Sequence, residues 1–115
     1  MPNPVVHFEV LGKDAEALQA FYGKVFDWNL NPVMSTYSMV STGVDGGIAG
    51  GVGAPPDGSA GHVTFYVAVD DLSAALQQIE SAGGRTVQPP MDVPNGPSIA
   101  LFADPEGHVI GLVKE

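Results

Sequence analysis

The chain contains no cysteine. Disulfides, thiolate metal sites and cysteine nucleophiles are thereby excluded. Positive charge is scarce as well, with four Lys and Arg against thirteen Asp and Glu and a net charge of −9. The four basic residues, Lys13, Lys24, Arg85 and Lys114, are scattered along the chain. No phosphate-tracking surface can be assembled from them, so neither nucleic acid nor a membrane surface is expected as a partner. The excess of acid reads as a solubility feature. No long apolar run is present, so no membrane-spanning helix is expected. The opening MPNPVVHFEV shows neither a basic n-region nor an apolar h-region, which makes a cytoplasmic location the expectation. The Gly46-Gly47 and Gly50-Gly51 pairs have no lysine near them and lack the GxxxxGK context of a phosphate loop. No serine sits in a nucleophile elbow.

What is present is a segment written nearly twice. At a shift of 57, Phe8 falls on Phe65, Val10 on Val67, Asp14 on Asp71 and Ala17 on Ala74. At a shift of 61, Gly46 falls on Gly107, Gly50 on Gly111 and Val52 on Val113. The difference between the shifts corresponds to an insertion in the Pro-rich stretch 88–97. The whole chain has 115 residues, 44% of them hydrophobic, which suits one small globular domain. We read a single domain over 1–115, with module one at 1–53, a linker at 54–61 and module two at 62–115.

Each module reads as strand, helix, strand, strand, strand. In module one, Val5–Leu11 alternates as a strand should. Asp14 is placed to cap a helix on which Leu18, Phe21, Tyr22 and Val25 form one apolar stripe. Residues 29–32 end that helix, and short strands follow around 34–39, 40–44 and 48–52. Module two restarts with a strand at 62–69, a cap at Asp70-Asp71, and a helix with the stripe Leu72, Ala75, Leu76 and Ile79. Gly83-Gly84 stops it. A strand begins at Thr86-Val87, a long loop covers 88–97, and strands at 98–103 and 109–113 flank the turn Asp104-Pro-Glu-Gly107.

Strand alternation sorts side chains by face. Val63, Phe65, Val67 and Val69 should pack under the second helix, and Phe8 and Val10 under the first. His7, Glu9 and Leu11 take the opposite face in module one. His62, Thr64, Tyr66 and Ala68 take it in module two. Polar and titratable groups thus project from the face that no helix covers, which would line a cleft if the sheets curl.

These features together resemble the vicinal oxygen chelate superfamily, the group of glyoxalase I, bleomycin-resistance proteins and extradiol dioxygenases. The resemblance covers nearly the whole chain. It is carried by Val6-His7 with Phe21-Tyr22 following, by Val69-Asp70 with Gly83-Gly84, and above all by Asp104-Pro-Glu-Gly-His-Val-Ile-Gly-Leu112 before the last strand. It implies an α+β fold of two paired βαβββ modules forming a curved mixed sheet around a cleft, and a homodimer. In metal-dependent members each module supplies two ligands, one from its first strand and one from its last. By register those positions here are His7, Gly50, Thr64 and Gly111. Glycine has no donor side chain, and a threonine hydroxyl is a poor ligand for borderline divalent ions.

The expectation is therefore a glyoxalase-like or bleomycin-resistance-like protein with a small-molecule cleft and no cofactor, binding a small ligand or acting as an enzyme of unstated reaction. His7 and Glu9 are the acid–base candidates. His7, Glu9, His62, Thr64 and Tyr66 are the ligand-binding candidates. The alternative is a divalent-metal-dependent lyase or dioxygenase that uses His7 with His62 and Glu9 as rearranged ligands. Trp28 is expected to cover core or interface, and His108 to sit exposed in its turn.

Overall fold

A computed structural model describes residues 2–55 and 58–115. Residues 56 and 57, within the expected linker, lie outside the described residues. The fold is α+β, with eight strands and two helices among the described residues: β1 (Val5–Leu11), α1 (Ala15–Phe26), β2 (Asn29–Met34), β3 (Tyr37–Ser41), β4 (Ala49–Gly53), β5 (Val63–Val69), α2 (Leu72–Ser81), β6 (Arg85–Asp92), β7 (Ser98–Ala103) and β8 (Val109–Lys114). The chain divides into two compact units, one of residues 7–63 and one of residues 1–6 with 64–115. None of the described helices is long and apolar enough to cross a membrane.

Both helices form for the same local reason. Asp14 and Asp71 hold extended backbone, and each carboxylate accepts an amide N–H three residues on, from Ala17 at 3.0 Å and from Ala74 at 3.1 Å. Such caps satisfy donors that the first helical turn cannot pair internally. Glu16 in the first turn and Lys24 in the last complement the dipole of α1. The α2 end is a Schellman closure. Gly83 takes a φ of +105°, Gly83 N donates to Glu80 O, and Gly84 N donates to Ile79 O at 2.9 Å. Only glycine adopts that φ without strain.

In the 7–63 unit the strand order is β2-β3-β4-β1, with β1 and β4 parallel and the other pairs antiparallel. α1 covers the face bearing Phe8, where Trp28 packs against Phe8, Tyr22 and Phe26 with ring centroids 5.2 to 5.6 Å apart. Val40, Val52 and Ser38 are buried, and Gln19 donates to Val52 O across 3.1 Å. The expected stripe is only partly used, since Leu18 and Tyr22 are half-buried while Phe21 and Val25 are more than half exposed. Residues 29–32, expected only to end the helix, begin β2. Pro32 sits on the end strand of its order, the place in a sheet where a proline is tolerated.

In the second unit the order is β5-β8-β7-β6, with β5 and β8 parallel. The N-terminal residues run beside β5, where Ala68 N donates to Pro4 O and Asn3 Nδ2 donates to Ala68 O. Leu72 and Leu76 of α2 form a core with Ala100 and Leu112, and Val67, Val69, Ala75, Ile79 and Phe102 pack around it. The expectation that all four odd-numbered β5 residues lie under α2 fails at its start: Val63 is 77% exposed and Phe65 39%. A helix of ten residues spans about 15 Å and cannot cover a seven-residue strand of about 23 Å. The loop expected at 88–97 begins instead as strand. β6 runs to Asp92 and accommodates Pro89-Pro90 through register shifts on either side of Gln88. The Asp104 turn forms as read. Its carboxylate accepts the backbone N–H groups of Glu106 and His108 and bonds the His108 ring, each at 2.9 Å. The His108 backbone hydrogen bond is the main cause of a lowered Asp104 pKa.

Candidate functional site

The strongest cluster of titratable side chains lies wholly within the 7–63 unit, on the face opposite Phe8. Glu9 is buried at 8% exposure and sits at its centre. Its Oε1 is 2.9 Å from His62 Nε2, and its Oε2 accepts a hydrogen bond from the Tyr37 hydroxyl at 3.0 Å. The same hydroxyl is 3.1 Å from His7 Nε2. Four side chains from three distant stretches of sequence thus form one hydrogen-bonded chain, His7–Tyr37–Glu9–His62. Burial pushes the His7 pKa down, and the nearby Glu9 carboxylate opposes that shift.

Each member is positioned by backbone. His7 and Glu9 point the same way because they are two apart on β1. β1 pairs with β4 so that Glu9 lies beside Gly51, and β3 pairs with β4 so that Met39 lies beside Gly51 and Tyr37 beside Gly53. Tyr37 therefore rises on the His7 face. A Cβ at Gly51 would stand 1.6 Å from the Tyr37 hydroxyl and 2.1 Å from its ring carbon, so the phenol occupies the space that a side chain at 51 would fill. His62 is brought in by the segment before β5. Leu11 N donates to His62 O at 2.7 Å, and Gly61, with φ +90°, approaches the Leu11 carbonyl so closely that a Cβ would come within 2.0 Å of it.

The structure brings together three of the five expected site residues, His7, Glu9 and His62. Thr64 and Tyr66 belong to the other unit. Thr64 is buried and its hydroxyl donates to Val109 O at 2.7 Å. Tyr66 is buried against Ala68 and Val113, with Val6, Ile99 and Leu101 around them. Tyr37 was absent from the expected set, because nothing in the repeat marks it. The signal that could have found it is the second glycine of Gly50-Gly51, a vacancy on the His7 face that a neighbouring aromatic can fill.

The last-strand positions shift by one. A Cβ at Gly50 would meet the Phe8 ring at 2.3 Å, on the helix-facing side, whereas Gly51 lies beside Glu9. In the other unit Gly111 pairs with Tyr66, the residue aligned with Glu9. The structural mate of Gly111 is therefore Gly51. A one-residue slip reverses strand faces, and a glycine pair hides it from a sequence comparison.

Among the described residues there is no group of three or more His, Asp or Glu side chains placed to hold a metal ion. The donor set does not fit the ion of the metal-dependent members. Both Glu9 oxygens and the Nε2 atoms of His7 and His62 are engaged within the chain of hydrogen bonds. Gly51 and Gly111 have no donor to offer, and Thr64 is turned to a backbone carbonyl.

The comparisons with known proteins agree with this architecture. The model of the Glyoxalase/Bleomycin resistance protein/Dioxygenase superfamily matches residues 5–112, and the chain belongs to that family. It is 29% identical over 106 residues to the putative glyoxylase CFP32 of Mycobacterium tuberculosis (strain CDC 1551 / Oshkosh), covering 86% of this chain and 41% of that protein. It is 29% identical over 133 residues to the anthracycline biosynthesis protein DnrV of Streptomyces peucetius, covering 99% of this chain and 48% of that one. The chain thus spans a little under half the length of these curated relatives. Among solved structures, methylmalonyl-CoA epimerase from Mycobacterium tuberculosis shares the fold with a TM-score of 0.70 at 18% identity, over 96% of this chain and 86% of that one. The Mn(II)-bound glyoxalase from Novosphingobium aromaticivorans does so with a TM-score of 0.63 at 21% identity, over 97% of this chain and 38% of that one.

Proposed function

We propose that this chain is a small-molecule-binding member of its family whose site, centred on Glu9, works without a resident metal ion and supplies hydrogen bonding and acid–base groups instead. The observation that carries this reading is the Tyr37 phenol standing in the space of a residue-51 side chain, tied to both His7 and Glu9. A buried carboxylate bridging a tyrosine and a histidine fixes polar groups at low reorganisation cost, as binding and proton-transfer sites require. The relatives carry names that refer to a glyoxylase and to anthracycline biosynthesis, which supports a small organic molecule as the ligand class.

Two measurements on the purified chain test it. Incubation with Zn²⁺, Mn²⁺, Ni²⁺ or Fe²⁺ followed by desalting and metal analysis should leave far less than one ion per chain. One ion per chain, lost in His7→Ala, would overturn the metal-free reading in favour of a metal-dependent lyase or dioxygenase. A thermal-shift screen of small organic molecules should give hits that stabilise in proportion to ln(1 + [L]/Kd). Those hits should weaken at least tenfold in folded Glu9→Gln or His62→Gln protein. Hits of unchanged affinity in both variants would place the binding site elsewhere.

A further inference from the structure

Resting on the same site, the geometry points to His62 as its proton acceptor, with Glu9 as the positioning residue that fixes the imidazole tautomer. The ligand class that follows is a neutral or cationic molecule bearing an O–H or N–H donor. A carboxylate only accepts hydrogen bonds. The 2.9 Å contact between Glu9 Oε1 and His62 Nε2 therefore requires the hydrogen on Nε2, which leaves the lone pair of the neutral ring on Nδ1. The single phenolic proton of Tyr37 is given to Glu9 Oε2, so at 3.1 Å His7 Nε2 must donate to the Tyr37 oxygen. His7 is thereby held as a neutral donor, in keeping with the downward push of burial on its pKa.

The hydrogen-bonded chain thus converges on Glu9 from both sides. Tyr37 and His62 both donate to Glu9; the His62 ring at one end is 30% exposed, whereas the Glu9 side chain at the centre is 11% exposed. A ligand O–H or N–H meeting Nδ1 can donate a hydrogen bond or pass its proton. Passing it yields an imidazolium whose Nε2–H stays on the Glu9 carboxylate and a ligand conjugate base with the corresponding electron pair. Charge selects the ligand. The unit holds only Lys13 and Lys24 as cations. Both belong to α1 or its approach, and α1 packs on the Phe8 side of the strands. An anion would be repelled by the Glu9 charge.

Long-range ¹⁵N–¹H NMR of the imidazole rings tests this directly. The neutral His62 ring should be predominantly the Nε2–H tautomer in the wild-type chain, and a mixture in Glu9→Gln, where an amide no longer demands a donor. A predominant Nδ1–H tautomer in wild type, or no change in Glu9→Gln, overturns the assignment. If Glu9→Gln does not fold, Tyr37→Phe serves instead: it should leave the His62 tautomer in place while altering the His7 resonances. Loss of the His62 preference there would also overturn it. Added at millimolar concentration, phenol should move the His62 Nδ1 resonance and benzoate should not. Equal movement by both, or none by phenol, overturns the ligand class. Stoichiometric metal uptake would defeat the metal-free reading on separate grounds, since the tautomer is read on metal-stripped protein.

Discussion

The two units answer the same structural question in opposite ways. Each has a first strand whose outer face aligns residue by residue, His7 with Thr64 and Glu9 with Tyr66. Each has a glycine on the neighbouring parallel strand, Gly51 or Gly111, that makes room for a tyrosine. In the 7–63 unit the tyrosine is Tyr37, whose hydroxyl is tied into a chain of titratable side chains. In the other unit it is Tyr66, closed in by Ala68 and Val113 with Val6, Ile99 and Leu101. One copy of the repeat links the polar groups of that face to one another, and the other ties Thr64 to a backbone carbonyl and packs its tyrosine ring among apolar side chains. A duplicated scaffold need not duplicate its side-chain chemistry: one half carries a hydrogen-bonded chain of titratable groups where the other carries Thr64 and Tyr66.

Breaking the comparison is easiest at the glycines. Gly111→Ala places a methyl 2.3 to 2.7 Å from three atoms of a buried tyrosine ring, and overpacking of that kind costs about 3 kcal/mol. Gly51→Ala meets the far end of the half-buried Tyr37, which can swing outward on losing its hydrogen bonds to Glu9 and His7, at about 2 kcal/mol. Denaturant unfolding of both variants should show the larger loss at Gly111. Equal losses would mean Tyr37 is as locked as Tyr66 and would erase the contrast.

Glu9→Gln sharpens the contrast from the polar side. It removes charge from two hydrogen bonds at a cost of about 2 kcal/mol, and it also changes the response to acid. His7 has its pKa lowered from 6.5 in the folded chain, and Glu9 opposes that lowering. The unfolded chain therefore binds the His7 proton first, and stability falls as the pH drops below about 6.5 toward the lowered folded value. Without the Glu9 charge the folded value drops further and the acid-labile window widens downward. Unfolding midpoints from pH 7.5 to 4.5 should show a steeper cumulative loss in Glu9→Gln than in wild type, and a shallower one in His7→Gln. The smallest effect concerns what the units share. Asp14→Ala and Asp71→Ala should each cost about 1 kcal/mol, and a twofold or greater difference would show that the two caps are not equivalent in energy.

Much of this was legible in the chain itself. Alternation at Val5–Leu11, the two aspartate caps, the Gly83-Gly84 closure and the Asp104 turn each follow from local rules, so both helices and the order of elements could be read directly, whereas β2 and most of β6 were misplaced. His7 and Glu9 could be paired because a period of two is local. Tyr37 and the role of His62 could not. The Glu9–His62 contact spans 53 residues, and it depends on a glycine backbone meeting the end of β1.

The sequence alone determined the repeat, the α+β fold and the family, because caps, glycine stops and alternation act within a few residues. It also determined that Gly50, Gly51 and Gly111 offer no side-chain donor from the last strand of either half, since glycine has no side chain. Tertiary structure decided which glycine of the pair faces the site, because strand register is set by partners and not by local preference. It decided that a tyrosine fills the vacated space. It decided too that one face of the repeat became a hydrogen-bonded chain and the other a packed core, since whether a polar face is satisfied or buried depends on what the rest of the chain brings to it.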